Sequence, residues 1–117
     1  MATILLVDDE RPLRALLRAA LEKDHHQVFE AANGRRGLEL YRERAMDLVI
    51  TDLVMPEMNG LDLISELRRS FVHVKIVAMT GDQSRLATAK RLGASQTLQK
   101  PFDIHLFLEI VRYELAH

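Results

Sequence analysis

Short apolar runs alternate with segments of helical periodicity along the whole chain. The first run, Ile-Leu-Leu-Val at 4–7, ends at three acidic residues, and the next segment carries leucines at the spacing of one helix face. An uninterrupted apolar run is typical of a strand buried on both faces of a parallel sheet. Repeating this reading predicts strands at 4–7, 27–31, 48–51, 74–79 and 97–99, each followed by an amphipathic helix.

Five such alternations predict an α/β fold, a doubly wound parallel sheet with helices on both faces. The fourth helix is expected at about 83–92, ending at Gly93, and the last from Asp103 to about Leu115. No linker, repeat or low-complexity segment interrupts the pattern, so we expect residues 1–117 to form a single domain with no output domain visible.

The composition excludes several function classes. Sixteen Lys and Arg residues face 17 Asp and Glu residues, and the chain has no Cys, which rules out disulfides and thiol chemistry. Without a basic run, direct nucleic acid binding is not expected. No apolar segment is long enough to cross a bilayer, and no secretory signal is present, so a cytoplasmic protein without membrane contact is expected.

Polar side chains follow the predicted strands at the point where each strand ends. They are Asp8, Asp9, Asp52, Thr80 and Lys100. Ligands of open α/β sheets bind beyond the carboxyl ends of the strands, and crowded carboxylates need a cation or protons to offset their charge. Oxygen ligands without His or Cys favour Mg²⁺. A carboxylate can also attack phosphorus, with cationic and hydroxyl groups binding the transferred oxygens.

Each of these residues also has an ordinary structural explanation. Asp8 and Asp9 precede a helix, where aspartate commonly caps the N-terminus, and Lys100 alone would be a solvated lysine. Asp52 is harder to explain in this way, because an unpaired carboxylate at the end of a buried strand is costly. The joint placement at successive strand ends favours a binding site.

These motifs together resemble the receiver domain of two-component response regulators. The matching segments are Ile4 to Glu10, Asp52 with Met55 to Gly60, Met79 to Gly81, and Lys100 to Phe102. The resemblance covers essentially the whole chain and implies a flavodoxin-like, five-stranded sheet in the order 2-1-3-4-5 with five helices. It also implies a cis peptide bond before Pro101.

The resemblance implies a signalling switch that promotes its own phosphorylation and dephosphorylation, rather than an enzyme. The phosphodonor would be a sensor histidine kinase or a histidine phosphotransfer protein, and the cofactor Mg²⁺, for which Mn²⁺ could substitute. The implied roles are phosphoacceptor for Asp52, metal ligation for Asp8, Asp9, Asp52 and the Val54 backbone carbonyl, and phosphoryl binding for Thr80 and Lys100.

One position departs from the family pattern. Receivers commonly carry Tyr or Phe three residues before the lysine, where this chain has Thr97. A small side chain cannot report phosphorylation by swinging a ring, so we expect the output to pass through the loop after Thr80 and the following helix. Val54 and Asp82 occupy positions that, in receivers, tune the access of water to the acyl phosphate.

The last helix offers a candidate interface. Leu106, Ile110 and Tyr113 fall on the face opposite to the one expected to pack on the sheet. Scattered exposed apolar residues are normal, but three at this spacing could form a partner patch. By the resemblance, a homodimer would form through the face of the fourth and fifth helices.

Alternatives remain at this level. The arginines of the first helix, Arg11, Arg14 and Arg18, fit a solvated face or a kinase-docking surface. The whole chain could instead be a phosphatase or phosphotransferase with an aspartyl nucleophile, although such enzymes usually carry a second Asp where this chain has Val54. A degenerate receiver that binds partners without phosphorylation is a third reading.

Overall fold

The computed structural model describes residues 1–117 and confirms the doubly wound α/β fold. All five strands are parallel and lie in the order β2-β1-β3-β4-β5. The strands are β1 (Thr3–Val7), β2 (Gln27–Ala31), β3 (Leu48–Asp52), β4 (Ile76–Thr80) and β5 (Gln96–Gln99), and the helices are α1 (Arg11–Lys23), α2 (Gly34–Glu43), α3 (Gly60–Ser70), α4 (Gln83–Leu92) and α5 (Ile104–Ala116).

Alternate residues of the strands supply two separate hydrophobic cores. In β1, Ile4 and Leu6 face α1 and α5, whereas Leu5 and Val7 face α2, α3 and α4. The central strands β1, β3 and β4 therefore bury both faces, which explains their uninterrupted apolar runs. No helix of the fold combines the length and apolarity needed to cross a membrane.

The predicted start of the fourth strand is wrong by two residues. Val74 is buried, but the ladder with β3 begins where Ile76 pairs with Val49. An apolar residue in the sequence indicates burial but not strand pairing. A buried residue just before the first paired residue is therefore assigned to the strand by its hydrophobicity. The strand at 27–31 and the helix at 83–92 lie where they were predicted.

The loops that enter the helices position the carboxyl edge of the sheet. Asn59 caps α3 by accepting a hydrogen bond from the Asp62 amide at 2.9 Å. The next residue, Gly60, packs so tightly on β3 that an added Cβ would lie 2.1 Å from the Asp52 carbonyl oxygen. Asp82 caps α4, and Gly93 ends that helix with a φ of 119°.

Candidate functional site

Four strand ends bring their polar side chains together at the carboxyl edge of the sheet. Asp8 follows β1, Asp52 ends β3, Thr80 ends β4 and Lys100 follows β5. The Lys100 Nζ atom lies 3.2 Å from Asp8 Oδ2 and 3.4 Å from Asp52 Oδ1. The residues that sequence places at separate strand ends thus form one cluster. The peptide bond between Lys100 and Pro101 is cis, as expected.

Burial and like charge shift the ionisation of this cluster. Asp8 is fully buried and Asp52 nearly so. Burial first, and then the charge of Asp8, raise the pKa of Asp52 to about 6. Burial also raises the pKa of Asp8 above its usual value. Partial burial opposes the charge of Lys100, but the neighbouring carboxylates outweigh it and raise the pKa of Lys100. The site therefore has more negative charge than one ammonium offsets.

The acidic groups have the donor chemistry of a hard-cation site. Carboxylate oxygens of Asp8, Glu10 and Asp52 all lie within 4.8 Å of one another. Divalent cations such as Mg²⁺ bind sparse sets of this kind and complete their coordination with water and phosphate oxygens. The residues present therefore fit a divalent cation.

Glu10 enters this group although the sequence analysis did not select it. Its carboxylate accepts a hydrogen bond from Lys100 at 3.2 Å, whereas the exposed Asp9 lies outside the three-carboxylate group and only lines the cleft beside it. The acidic run Asp8-Asp9-Glu10 was the available signal. It could not assign the inward-facing members, because side-chain direction in the loop after β1 follows no strand alternation.

Asp8 does not cap α1. Its Oδ1 atom accepts a hydrogen bond from the Glu10 amide at 2.8 Å, and its own amide donates to the Ala31 carbonyl of β2. The N-cap of α1 is Glu10, which makes no side-chain capping bond. The capping explanation considered for Asp8 and Asp9 is therefore wrong.

Thr80 joins the cluster to the start of α4. Its buried hydroxyl oxygen accepts a hydrogen bond from the Asp82 amide at 3.2 Å. Its carbonyl accepts from the Lys100 amide at 2.9 Å, which fixes β5 beside it. The open cleft above the cluster has a volume of about 380 Å³, with Val54 and Asp82 among its lining residues.

A family model for the response regulator receiver domain matches residues 4–112. The chain belongs to the response regulator receiver family. Receiver domains are signalling domains of two-component systems, and the acidic cluster described above fits the metal site of such a domain.

Known proteins of similar sequence and structure match this chain over nearly its whole length. The chain is 38% identical over 120 residues to protein PilH of Pseudomonas aeruginosa, and the alignment covers 99% of each chain. It is 32% identical to sporulation initiation phosphotransferase F of Bacillus subtilis, covering 93% of this chain and 90% of that one. The structure of chemotaxis response regulator CheY4 of Vibrio cholerae matches with a TM-score of 0.92 at 27% identity, covering 97% and 98% of the chains. Three longer curated relatives are spanned to only 47%, 24% and 8% of their length.

The candidate interface on α5 of the receiver is only partly exposed. Leu106 and Tyr113 expose 44% and 52% of their surface. Ile110 is half-buried and packs against the core beneath α1 and α5. The expected stripe is therefore interrupted at its centre. Thr97, at the position that is usually aromatic, is also partly buried and pairs with Ala78 of β4.

Two of the three α1 arginines are not free on the surface of the receiver. Arg14 and Arg18 both form ion pairs with Glu30 of β2, and only Arg11 is fully on the exposed side. The solvated-face reading therefore fails for Arg14, whose side chain is 15% exposed.

Proposed function

We propose that this receiver accepts a phosphoryl group on Asp52 in the presence of Mg²⁺, and that the modification changes its affinity for a partner. The observation that carries the proposal is the convergence of Lys100 on Asp8 and Asp52 from three different strand ends. Phosphoryl transfer depends on positioning and on charge stabilisation more than on acid or base catalysis, and this cluster supplies both.

The hydrogen bonds of Asp52 distinguish its two oxygens. Oδ1 accepts from the Leu53 amide at 3.0 Å and faces Lys100, whereas Oδ2 receives no hydrogen bond from the protein. Oδ2 is therefore the oxygen available to attack phosphorus. In that step an O–P bond forms, the P–N bond of a phosphohistidine donor breaks, and its electron pair stays on the imidazole nitrogen. When bound, Mg²⁺ neutralises charge on the transferred oxygens.

Several side chains of the receiver have assigned tasks in this proposal. Asp8 and Glu10 hold the cation with Asp52, while Asp9 and the Val54 carbonyl are the further ligands that the family resemblance implies. Lys100 is already placed to contact a phosphoryl oxygen beside Asp52. Val54 cannot act as a general acid or base, which disfavours a phosphatase with a second catalytic carboxylate at this position.

The output route that we propose runs through Thr80 and α4. A phosphoryl oxygen that accepted a hydrogen bond from the Thr80 hydroxyl would draw this side chain toward Asp52 and away from the amide of Asp82, the N-cap residue of α4, which now donates to the hydroxyl oxygen. Thr97 provides no aromatic ring to carry the change along β5. Binding of beryllofluoride with Mg²⁺ should therefore shift the amide resonances of residues 81–92. Unchanged resonances in α4 and β5 would overturn this route.

The proposed phosphodonor is a phosphohistidine on a sensor histidine kinase or a phosphotransfer protein. The name of the Bacillus subtilis relative, a phosphotransferase, supports phosphoryl transfer as the chemistry. A homodimer through α4 and α5 is a further proposal, supported by the exposure of Leu106 and Tyr113. Replacing both by Glu should then leave a monomer under phosphorylating conditions, as measured by sedimentation.

Incubation with Mg²⁺ and acetyl phosphate, followed by intact-mass measurement, tests the phosphoacceptor. We expect the mass of one phosphoryl group on the wild type and none on Asp52→Asn. Asp62→Asn, an exposed acid on α3, is the matched control and should be modified like the wild type. An unmodified wild type, or equal modification of Asp52→Asn, would contradict the proposal.

A further inference from the structure

The main-chain carbonyl of Asp8 is held by a side chain rather than by the sheet. Asp8 is the first residue after β1, and its amide still bonds to Ala31 of β2 at 3.1 Å. Its carbonyl leaves the ladder and accepts instead from the Arg14 Nη1 atom at 2.6 Å. The peptide plane between Asp8 and Asp9 is therefore fixed by one charge-assisted hydrogen bond from α1.

Glu30 holds the guanidinium group that makes this bond. The Arg14 Nε atom donates to Glu30 Oε1 at 2.7 Å, and Arg18 pairs with the other carboxylate oxygen. Glu30 stands opposite Leu6 in the register of β1 and β2, so it faces α1. One arginine thus connects β2, α1 and the loop that carries the acidic cluster.

The loop has little else to fix it. Three consecutive acids, Asp8, Asp9 and Glu10, repel one another, and Glu10, the N-cap residue of α1, makes no side-chain capping bond. The hydrogen bonds of the acidic side chains in this loop are those of Asp8 and Glu10 with Lys100 and the one that Asp8 accepts from the Glu10 amide. These bonds involve the same oxygens that a cation would recruit, whereas the Arg14 bond uses the carbonyl and leaves the carboxylates available.

We propose that Arg14 is a positioning residue for cation binding, which fixes the Asp8 peptide so that the Asp8 and Glu10 carboxylates converge, and that Glu30 orients Arg14 for this task. The inference rests on the proposed function, because it takes a divalent cation as the ligand of the cluster. Groups that orient metal ligands from behind commonly control affinity by tenfold or more.

Mg²⁺ titration calorimetry on matched variants tests this role. Arg14→Met keeps the aliphatic stem but loses both bonds, and we expect its dissociation constant for Mg²⁺ to rise about tenfold. Arg14→Lys, which can reach only one acceptor, should lie between Arg14→Met and the wild type. Glu30→Gln should weaken binding in the same direction by a smaller factor. Arg18 contacts Glu30 but not the Asp8 carbonyl, so Arg18→Met should bind Mg²⁺ like the wild type.

A second measurement separates positioning from general stability. The Glu10 amide donates to Asp8 Oδ1, so its hydrogen exchange without metal should accelerate in Arg14→Met. Arg112→Met removes the bidentate pair with Asp24 at the other end of α1, and serves as a control that loses an ion pair of the same helix and should keep normal Mg²⁺ affinity. Loss of Mg²⁺ affinity in Arg112→Met equal to that in Arg14→Met would overturn positioning in favour of a structural role.

The two proposals fail in different ways. Wild-type Mg²⁺ affinity in Arg14→Met, with unchanged exchange at Glu10, would overturn the role of Arg14 and leave phosphorylation of Asp52 untouched. A wild type that binds Mg²⁺ but takes no phosphoryl group would overturn the proposed function, while the binding data still decide the role of Arg14.

Discussion

The two edges of the sheet use charged side chains in opposite ways. At the amino edge, three polar side chains satisfy main-chain atoms: Asp47 accepts from the Thr3 amide at 2.8 Å, His26 from the Ala2 amide at 3.1 Å, and Lys75 donates to the Glu114 carbonyl at 2.6 Å. At the carboxyl edge, Asp8, Asp52 and Lys100 face one another, and their net charge is negative. The groups at the amino edge complete the hydrogen bonding of the main chain, whereas the groups at the carboxyl edge leave negative charge available to a ligand.

The size of a depression does not distinguish these edges. The groove at the amino edge is larger, about 690 Å³, and eight of its 12 lining residues, Tyr41 and Phe71 among them, are hydrophobic. Those two rings pack edge to face at 4.8 Å and close the end of the core. The smaller cleft at the carboxyl edge holds the convergent carboxylates. The chemistry of the lining groups, rather than volume, identifies the functional edge.

Removing one lysine from each edge gives the largest expected contrast. Lys100→Met deletes the cation beside Asp52, and we expect phosphorylation by acetyl phosphate to slow about a hundredfold or more, the effect of losing a donor to developing charge. Lys75→Met loses a bond to a main-chain carbonyl and should cost about 1 kcal/mol of stability without altering the rate. The phosphorylation rate by intact mass and the urea midpoint measure the two effects.

Equal rates for Lys100→Met and Lys75→Met would remove the functional distinction between the edges. Mg²⁺ provides a control: it should raise the urea midpoint of Lys100→Met more than that of Lys75→Met, because two carboxylates in Lys100→Met have lost their counter-charge.

Much of this contrast could be read from sequence. Buried apolar runs located the strands, and the polar residue after each run located Asp8, Asp52, Thr80 and Lys100, because parallel strands all end at one edge. The part that could not be read depends on side-chain direction outside regular elements. Glu10 rather than Asp9 turns toward Asp8, and no periodicity governs that loop.

Side-chain contacts between distant elements also could not be predicted from the sequence. Glu30 in the weak second strand looks like an exposed acid, and Arg14 like part of a solvated helix face, until the β1 and β2 register places them in contact. Similarly, Ile110 sits on the expected face of α5 but is half-buried, because residues near the edge of a helix face can reach the neighbouring core.

Two glycines near the carboxyl edge differ in how closely neighbouring atoms pack against them. An alanine Cβ at Gly60 would lie 2.1 Å from the Asp52 carbonyl oxygen and 2.7 Å from the Leu53 Cα, backbone atoms that cannot move without shifting the site. We expect Gly60→Ala to cost about 3 kcal/mol. At Gly81 the nearest atom, the Lys100 carbonyl oxygen, is 3.8 Å from an added Cβ, so Gly81→Ala should change stability by less than about 0.5 kcal/mol.

Urea denaturation of the two glycine variants measures these costs. Similar losses in Gly60→Ala and Gly81→Ala would mean that close packing of α3 on β3 does not set the position of Asp52.

At the amino edge, His26 should give the smallest effect, a loss of stability in mild acid. Burial lowers the pKa of His26 below 6.5, although Asp24 opposes the shift from 3.9 Å. Above pH 6.5 both the folded and the unfolded chain hold His26 neutral. As the pH falls below 6.5, the unfolded chain binds the proton first, so the free energy of unfolding declines until the pH passes the lowered pKa of the folded state.

A matched pair of variants isolates this titration. His26→Asn keeps an acceptor for the Ala2 amide but cannot titrate, so the decline in stability below pH 6.5 should flatten. His25→Asn replaces the exposed neighbour, whose φ of 69° suits asparagine, and should keep the wild-type slope. Urea midpoints at fixed ionic strength measure both slopes. If His26→Asn keeps the full decline, the amino edge does not depend on a neutral imidazole, and the acid sensitivity of the fold lies with the carboxylates and histidines elsewhere.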